Sequence, residues 1–240
     1  MKKKIRIFEL KFDHKFRKNF TIGVKKIFDQ GFLTNHSYVK KLESKFSKIN
    51  SSKFSIAVNS GTAALELIFR SLNVKNKKVL IASNTFVATA LAVKSAGGIP
   101  VPIDIEKRYF SLCPIQLKKK ISQKNISAVV IIHIAGLVSP NIHRIKKICD
   151  EKKIPLIEDC AQAYGSTINN KKVGNFGLAG AFSFQTTKVV TSGEGGIVTT
   201  NDKKFFMKLI SNRFYGVNLK DTLNFVSDGN NLKMPELIAL

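Results

Sequence analysis

The sequence predicts an α/β protein built on a largely parallel sheet. From residue 54 onward, short apolar runs alternate with amphipathic stretches at helical spacing, the pattern of βαβ units. Runs such as Val129-Val130-Ile131-Ile132 are apolar throughout, as strands covered on both faces must be. Residues capable of chemistry fall just after these runs, and α/β folds collect their functional groups at the carboxyl ends of strands.

Taken in order, the chain begins Met1-Lys2-Lys3-Lys4, which opens like a signal peptide, but Ile5–Leu10 carries charges and no apolar stretch follows. A soluble cytoplasmic protein is expected. Phe8–Phe12 reads as a short strand. Phe16–Gln30 reads as a helix, with Phe20, Val24 and Phe28 at helical spacing. Gly31–Asn35 breaks it, and Ser37 is placed to cap a second helix, Val39–Ile49, whose Val39, Leu42 and Phe46 share a face. The strands expected next are Phe54–Val58, Lys78–Ala82, Ile99–Ile103, Ala128–His133, Ile154–Glu158, Ala181–Phe184 and Gly196–Thr200. Between and after them come helices Ala63–Leu72, Ala88–Ala96, Pro114–Ile121, Asn141–Lys152 and Lys203–Ser211. A polar loop, Asp228-Gly229-Asn230-Asn231, leads to the start of a last helix, Pro235–Leu240. There is no internal repeat and no low-complexity linker, so residues 1–240 read as one unit.

With 240 residues and 44% hydrophobic content, the chain is large enough to bury a core. Its longest apolar run, Val129 to Val138, contains His133 and is too short to cross a bilayer. The net charge of +24 raises nucleic acid as a partner. That charge is spread along the chain and is mostly lysine, whereas phosphate-forking and base-reading surfaces favour arginine. A bias in residue usage is the simpler cause, and attraction for anionic small molecules such as nucleotide sugars is its milder consequence. The three cysteines lack CxxC spacing, and the four histidines do not join them at metal-ligand spacing, so neither a disulfide framework nor a metal site is expected. GxGxxG, GxxxxGK[ST], HExxH and GxSxG motifs are absent.

The strand ends carry a recurring chemistry. Asn59-Ser60-Gly61-Thr62 opens a helix, where free amides, a glycine and two hydroxyls make a phosphate cradle, or simply a helix cap. Ser83-Asn84-Thr85-Phe86 offers a ring able to stack on a flat cofactor, or a core phenylalanine. Glu158 and Asp159 end another run; strand alternation lets only one of them face a pocket. That carboxylate would pair with a protonated ring nitrogen, or cap a helix. Ser183 and Lys188 follow the strand that runs into Phe182–Phe184, before the glycine-rich turn Gly193–Gly196. Most lysines here sit in solvated clusters. Lys188 lies between apolar and hydroxyl residues, a setting that shelters an amine from water and leaves it able to form a Schiff base, or else an ordinary loop lysine. A phosphate site, a stacking ring, an acid and an amine on one rim match the needs of pyridoxal phosphate.

The segments Asn59–Leu65, Thr85–Thr89, Glu158–Gly165, Phe182–Lys188 and Gly193–Gly196 together resemble the DegT/StrS sugar aminotransferases, over roughly Val39 to Leu240. The resemblance implies a three-layer α/β/α large domain of the pyridoxal-phosphate transferase fold. It also implies transfer of an amino group, usually from glutamate, to a keto group of a nucleotide-linked sugar, by a homodimer. By its motifs, Lys188 resembles the cofactor-binding lysine, Asp159 the partner of the ring nitrogen, Gln162 a residue near the phenolic oxygen and Phe86 the stacking ring. Gly61, Thr62 and Ser183 resemble phosphate ligands, with Ser60 of the same turn counted as cofactor-binding, and Asn231 resembles an asparagine that reaches the neighbouring subunit's phosphate. Lys188 argues against a sister branch that has histidine there. Lys233 stands where the family usually has arginine, which would weaken a forked ion pair. The family's smaller C-terminal domain is expected to be missing, leaving an exposed apolar surface at Leu237–Leu240. A non-catalytic cofactor-binding or dimerising remnant is the alternative expectation.

Overall fold

The computed structural model describes residues 9–240. Two helices, α1 (His14–Gln30) and α2 (Ser37–Asn50), precede the sheet. The sheet strands are β1 (Phe54–Val58), β2 (Lys78–Ala82), β3 (Ile99–Ile103), β6 (Ile126–Ile132), β7 (Leu156–Asp159), β10 (Ala179–Ser183) and β11 (Gly196–Thr200). Two small hairpins, β4 (Ile105–Glu106) with β5 (Ser111–Leu112) and β8 (Thr167–Ile168) with β9 (Lys171–Lys172), lie outside it. The connecting helices are α3 (Gly61–Ser71), α4 (Val87–Ser95), α5 (Pro114–Lys120) and α6 (Ile142–Glu151), followed by α7 (Lys203–Arg213) and α8 (Glu236–Ala239).

The seven strands run in the order β1-β11-β10-β7-β6-β2-β3. β11 is antiparallel to both neighbours, and the other pairings are parallel. The stretch 184–195 between β10 and β11 contains no helix. Without a crossover the chain can only turn back on itself, so β11 lies antiparallel beside β10. β3 carries Pro100 and Pro102, which lack an amide proton, and it occupies the edge of the sheet where a missing donor is tolerated. Side chains alternate between two cores. Ile56 and Val58 of β1 join Leu67 and Ile68 of α3, while Ala57 joins Val39 and Phe46 of α2, so helices cover both faces.

The N-terminal helices are fastened by buried charges. Arg213, 7% exposed, bonds Glu43 at 2.6 Å, the Ala57 carbonyl at 3.1 Å and Asn35 at 2.9 Å. Ser37 does not cap α2. The cap position falls on His36, whose side chain makes no capping bond, and the buried Glu236 carboxylate accepts from the amides of His36, Tyr38 and Val39 instead. An acid from α8 satisfies these donors and complements the helix dipole. The stretch Leu237–Leu240 is half-buried rather than exposed, because Leu240 packs over Gly23 of α1. Phe8 of the expected strand Phe8–Phe12, and the Met1–Lys4 segment, lie outside the described residues; residues 9–12 are not in a strand. Among the described residues no helix is long and apolar enough to cross a membrane.

Candidate active site

The ends of β1, β2, β6, β7 and β10 open onto one cavity of about 550 Å³. Ser60, Gly61, Thr62, Phe86, Asp159, Gln162, Ser183 and Lys188 line it. Asn231 does not; it is exposed and pairs with Phe214 through the backbone.

One wall is the start of α3. Ser60 is the N-cap, its Oγ accepting from the Ala63 amide at 3.0 Å, so it is both a cap and a cavity residue. The Gly61 and Thr62 amides have no acceptor within the helix, as for any first turn. A Cβ on Gly61 would lie 2.6 Å from the Ser183 Cβ, and one on Gly196 would lie 2.3 Å from the Ser60 carbonyl oxygen. Glycine at both positions lets α3, β10 and β11 close into a cradle of amides and hydroxyls.

Phe86 forms the opposite wall at the start of α4 and is 69% exposed, which sets aside its reading as a core residue. Asp159 ends β7 and is 6% exposed. Its Oδ2 accepts from Thr89 Oγ1 at 2.7 Å and its Oδ1 from the Ala161 amide at 3.1 Å. Burial pushes its carboxyl above the ordinary 3.8, opposed by those two hydrogen bonds and by His133 and Lys188. A carboxyl with a raised folded-state value adds stability while protonated and loses that contribution as the pH rises through the raised value. The contribution of Asp159 to the stability of the cofactor-free protein is therefore expected to fall as the pH climbs above 3.8. Asp159→Asn should remove that part of the pH dependence and raise the neutral-pH Tm by about 2–4 °C for each kcal/mol of relieved penalty. Thermal unfolding of both proteins across a pH series checks this; identical slopes would contradict it.

Gln162 uses its side-chain carbonyl to accept from the Ala135 amide at 2.7 Å, bracing a turn where Ala135 has φ of 50°. Lys188 is half-buried rather than sheltered, and it is the one lysine among the cavity residues. Lys233 places its Nζ 3.9 Å from the centre of the Phe214 ring, a cation–π contact in place of a forked ion pair.

Sequence reasoning missed several groups. Thr89 and Glu194 lay inside the quoted motifs without a role, and His133, Gln185 and Thr187 also line the cavity. Glu158, facing away from Asp159, is fully buried. It accepts from the amides of Gly174 (2.8 Å), Phe176 (2.6 Å) and Gly177 (2.7 Å), with His133 Nε2 at 3.0 Å. The fold brings His133, Glu158 and Cys160 within 4.8 Å, a grouping their sequence spacing did not show. The Glu158 oxygens already accept three backbone amides and face His133, so this carboxylate serves as a brace between β7 and the loop before β10.

The chain is 34% identical to GDP-perosamine synthase of Vibrio cholerae over 191 residues, 79% of this chain and 52% of that protein. It is 31% identical to dTDP-3-amino-3,6-dideoxy-alpha-D-galactopyranose transaminase of Aneurinibacillus thermoaerophilus, over 94% of this chain and 61% of that one. It thus spans about half the length of the curated relatives it matches, 52% for the first. Among solved structures, PseC of Helicobacter pylori, an aminotransferase of pseudaminic acid biosynthesis, superposes with a TM-score of 0.82 at 28% identity, covering 92% of this chain and 60% of that chain. The profile of the DegT/DnrJ/EryC1/StrS aminotransferases matches residues 15–240, and the chain belongs to that family.

Proposed function

We propose that this chain is a pyridoxal-phosphate-dependent aminotransferase that moves an amino group from an amino-acid donor, glutamate, to a keto group of a nucleotide-linked sugar. The observation that carries the reading is that Lys188 and Asp159 share one cavity with the Ser60-Gly61-Thr62 cradle, Ser183 and the exposed ring of Phe86. The names of the similar proteins, a GDP-perosamine synthase and a dTDP-sugar transaminase, support the substrate class. The chain's +24 charge favours the approach of such anionic substrates, and the reading keeps the expected cytoplasmic setting.

The residues present fit the cofactor. The close approach of Gly61 to Ser183 leaves a small cradle edged by unpaired amides, suited to a phosphate. The exposed Phe86 supplies a flat apolar wall, and Asp159 supplies a buried acid. When bound, the cofactor contributes an aldehyde carbon and an electron-accepting ring. Asp159 would hold a proton at the ring nitrogen, and Gln162 would lie near the phenolic oxygen. Lys188 Nζ would attach the aldehyde and move the proton at the substrate carbon. The net positive charge and the amides of α3 orient the anionic end of the ligand. Asn231 stands exposed outside its own cavity, which suits a reach into a neighbouring subunit, so the reading includes a homodimer.

Titration with pyridoxal phosphate tests the first half, with a saturable visible absorbance band as the expected result. Production of 2-oxoglutarate from glutamate in the presence of GDP- or dTDP-linked keto-sugars tests the second. A protein that takes up no cofactor would defeat the proposal. Uptake without turnover on any such sugar would favour the non-catalytic alternative.

A further inference from the structure

We propose that Thr89 is a positioning residue for Asp159, its hydroxyl fixing the acid's orientation under the face presented by Phe86. The proposal rests on the cofactor reading above and deepens it. Thr89 is fully buried in the first turn of α4. A threonine hydroxyl in a helix commonly bonds back to the carbonyl four residues earlier. Here Thr89 Oγ1 instead bonds Asp159 Oδ2 at 2.7 Å, across a separation of 70 positions in sequence. Behind it, Thr85 Oγ1 lies 2.6 Å from Thr89 Oγ1.

Each hydroxyl has one proton, so the direction of this chain is set by the acid. With Asp159 ionised, Thr89 donates to it, and the 2.6 Å contact then takes the proton of Thr85, for which the Phe86 carbonyl at 3.2 Å is the longer, competing acceptor. The second carboxylate oxygen is fixed by the Ala161 amide at 3.1 Å. Two donors of known direction define the carboxylate plane, and the remaining lone pairs are left for a ligand. The same turn of α4 begins with Phe86 as its N-cap, and the Thr89 amide bonds the Phe86 carbonyl at 3.1 Å. One helical turn thus sets both the platform for a flat ring and the direction of the acid at its edge. The other ionisable groups around Asp159 are Lys188 after β10, His133 after β6, Glu158 beside it on β7 and the buried Cys160 that follows it, and none of them donates a hydrogen bond to its carboxylate.

The test uses Thr89→Val, which keeps the shape and loses the hydroxyl, and Thr89→Ser, which keeps the hydroxyl. In the cofactor-free protein, carbon-13 carboxyl NMR follows the Asp159 titration, with Asp159→Asn identifying the signal. Loss of one charge-assisted donor should move that titration up by about one pH unit in Thr89→Val, and leave it near wild type in Thr89→Ser. Pyridoxal phosphate affinity should fall about 10- to 100-fold in Thr89→Val and stay within about threefold in Thr89→Ser. An unmoved titration in a folded Thr89→Val protein would overturn the proposal, as would equal effects of valine and serine. If the wild type binds no cofactor, the functional reading fails by itself, and the titration still decides the role of Thr89.

Discussion

Lys188→Ala should remove the visible band of the cofactor-loaded protein and lower turnover by at least about 10⁴-fold. The magnitude follows from losing both roles proposed for it, the attaching amine and the proton carrier, of which proton transfer alone is worth about 10²–10⁴. No other lysine lines the cavity to replace it. Among the described residues its Nζ makes no hydrogen bond or ion pair, and the side chain is half-buried. Stability of the cofactor-free variant should therefore stay within about 0.5 kcal/mol of wild type, as for substitutions away from packed features. Spectral titration, single-turnover assay and urea unfolding of the same preparation check all three. A retained band would show that another amine holds the cofactor and would remove Lys188 from the site.

Glu158→Ala should be the most damaging substitution for stability. The carboxylate accepts three buried amides, from Gly174, Phe176 and Gly177, and faces His133 Nε2 at 3.0 Å. Alanine would leave those donors buried and unpartnered, each at a cost of about 1–3 kcal/mol, while opening a cavity. Relaxation and water entry offset part of this, so a net loss of about 4 kcal/mol and a Tm drop on the order of 10 °C are expected. Glu158→Gln would also destabilise, because its amide nitrogen turns a donor toward other donors. The loop 174–177 leads directly into β10, which carries Ser183 and precedes Lys188, so cofactor affinity should fall with stability. Urea unfolding measures the effect, and a loss under about 1 kcal/mol would show that the brace is dispensable.

Most of the secondary structure was legible because it rests on local pattern. β1, β2, β3 and β11 begin and end where their apolar runs do. β7 and β10 shift by two residues at their starts, since the ladder with the neighbouring strand, rather than hydrophobicity, decides where pairing begins. The hairpins β4–β5 and β8–β9 were not foreseen, because two-residue strands leave no periodicity to read. Ser60, Gly61, Thr62, Phe86, Asp159, Gln162, Ser183 and Lys188 were legible as neighbours, since βαβ order places the carboxyl ends of the parallel strands on one edge of the sheet.

The sequence by itself determined the α/β class, the approximate positions of the seven sheet strands and the main helices, and the identities of most groups on the rim, all properties carried within a few neighbouring residues. Only the tertiary structure decided the antiparallel placement of β11, the use of Glu158 as a brace on the far face of β7, the capping of α2 by Glu236 and the hydroxyl chain from Thr85 through Thr89. Each of these joins atoms that are near in space and distant along the chain, or turns on which face of a strand looks into the cavity. A hydrogen bond depends on a separation of about 3 Å and a direction, and neither is written in the order of the residues.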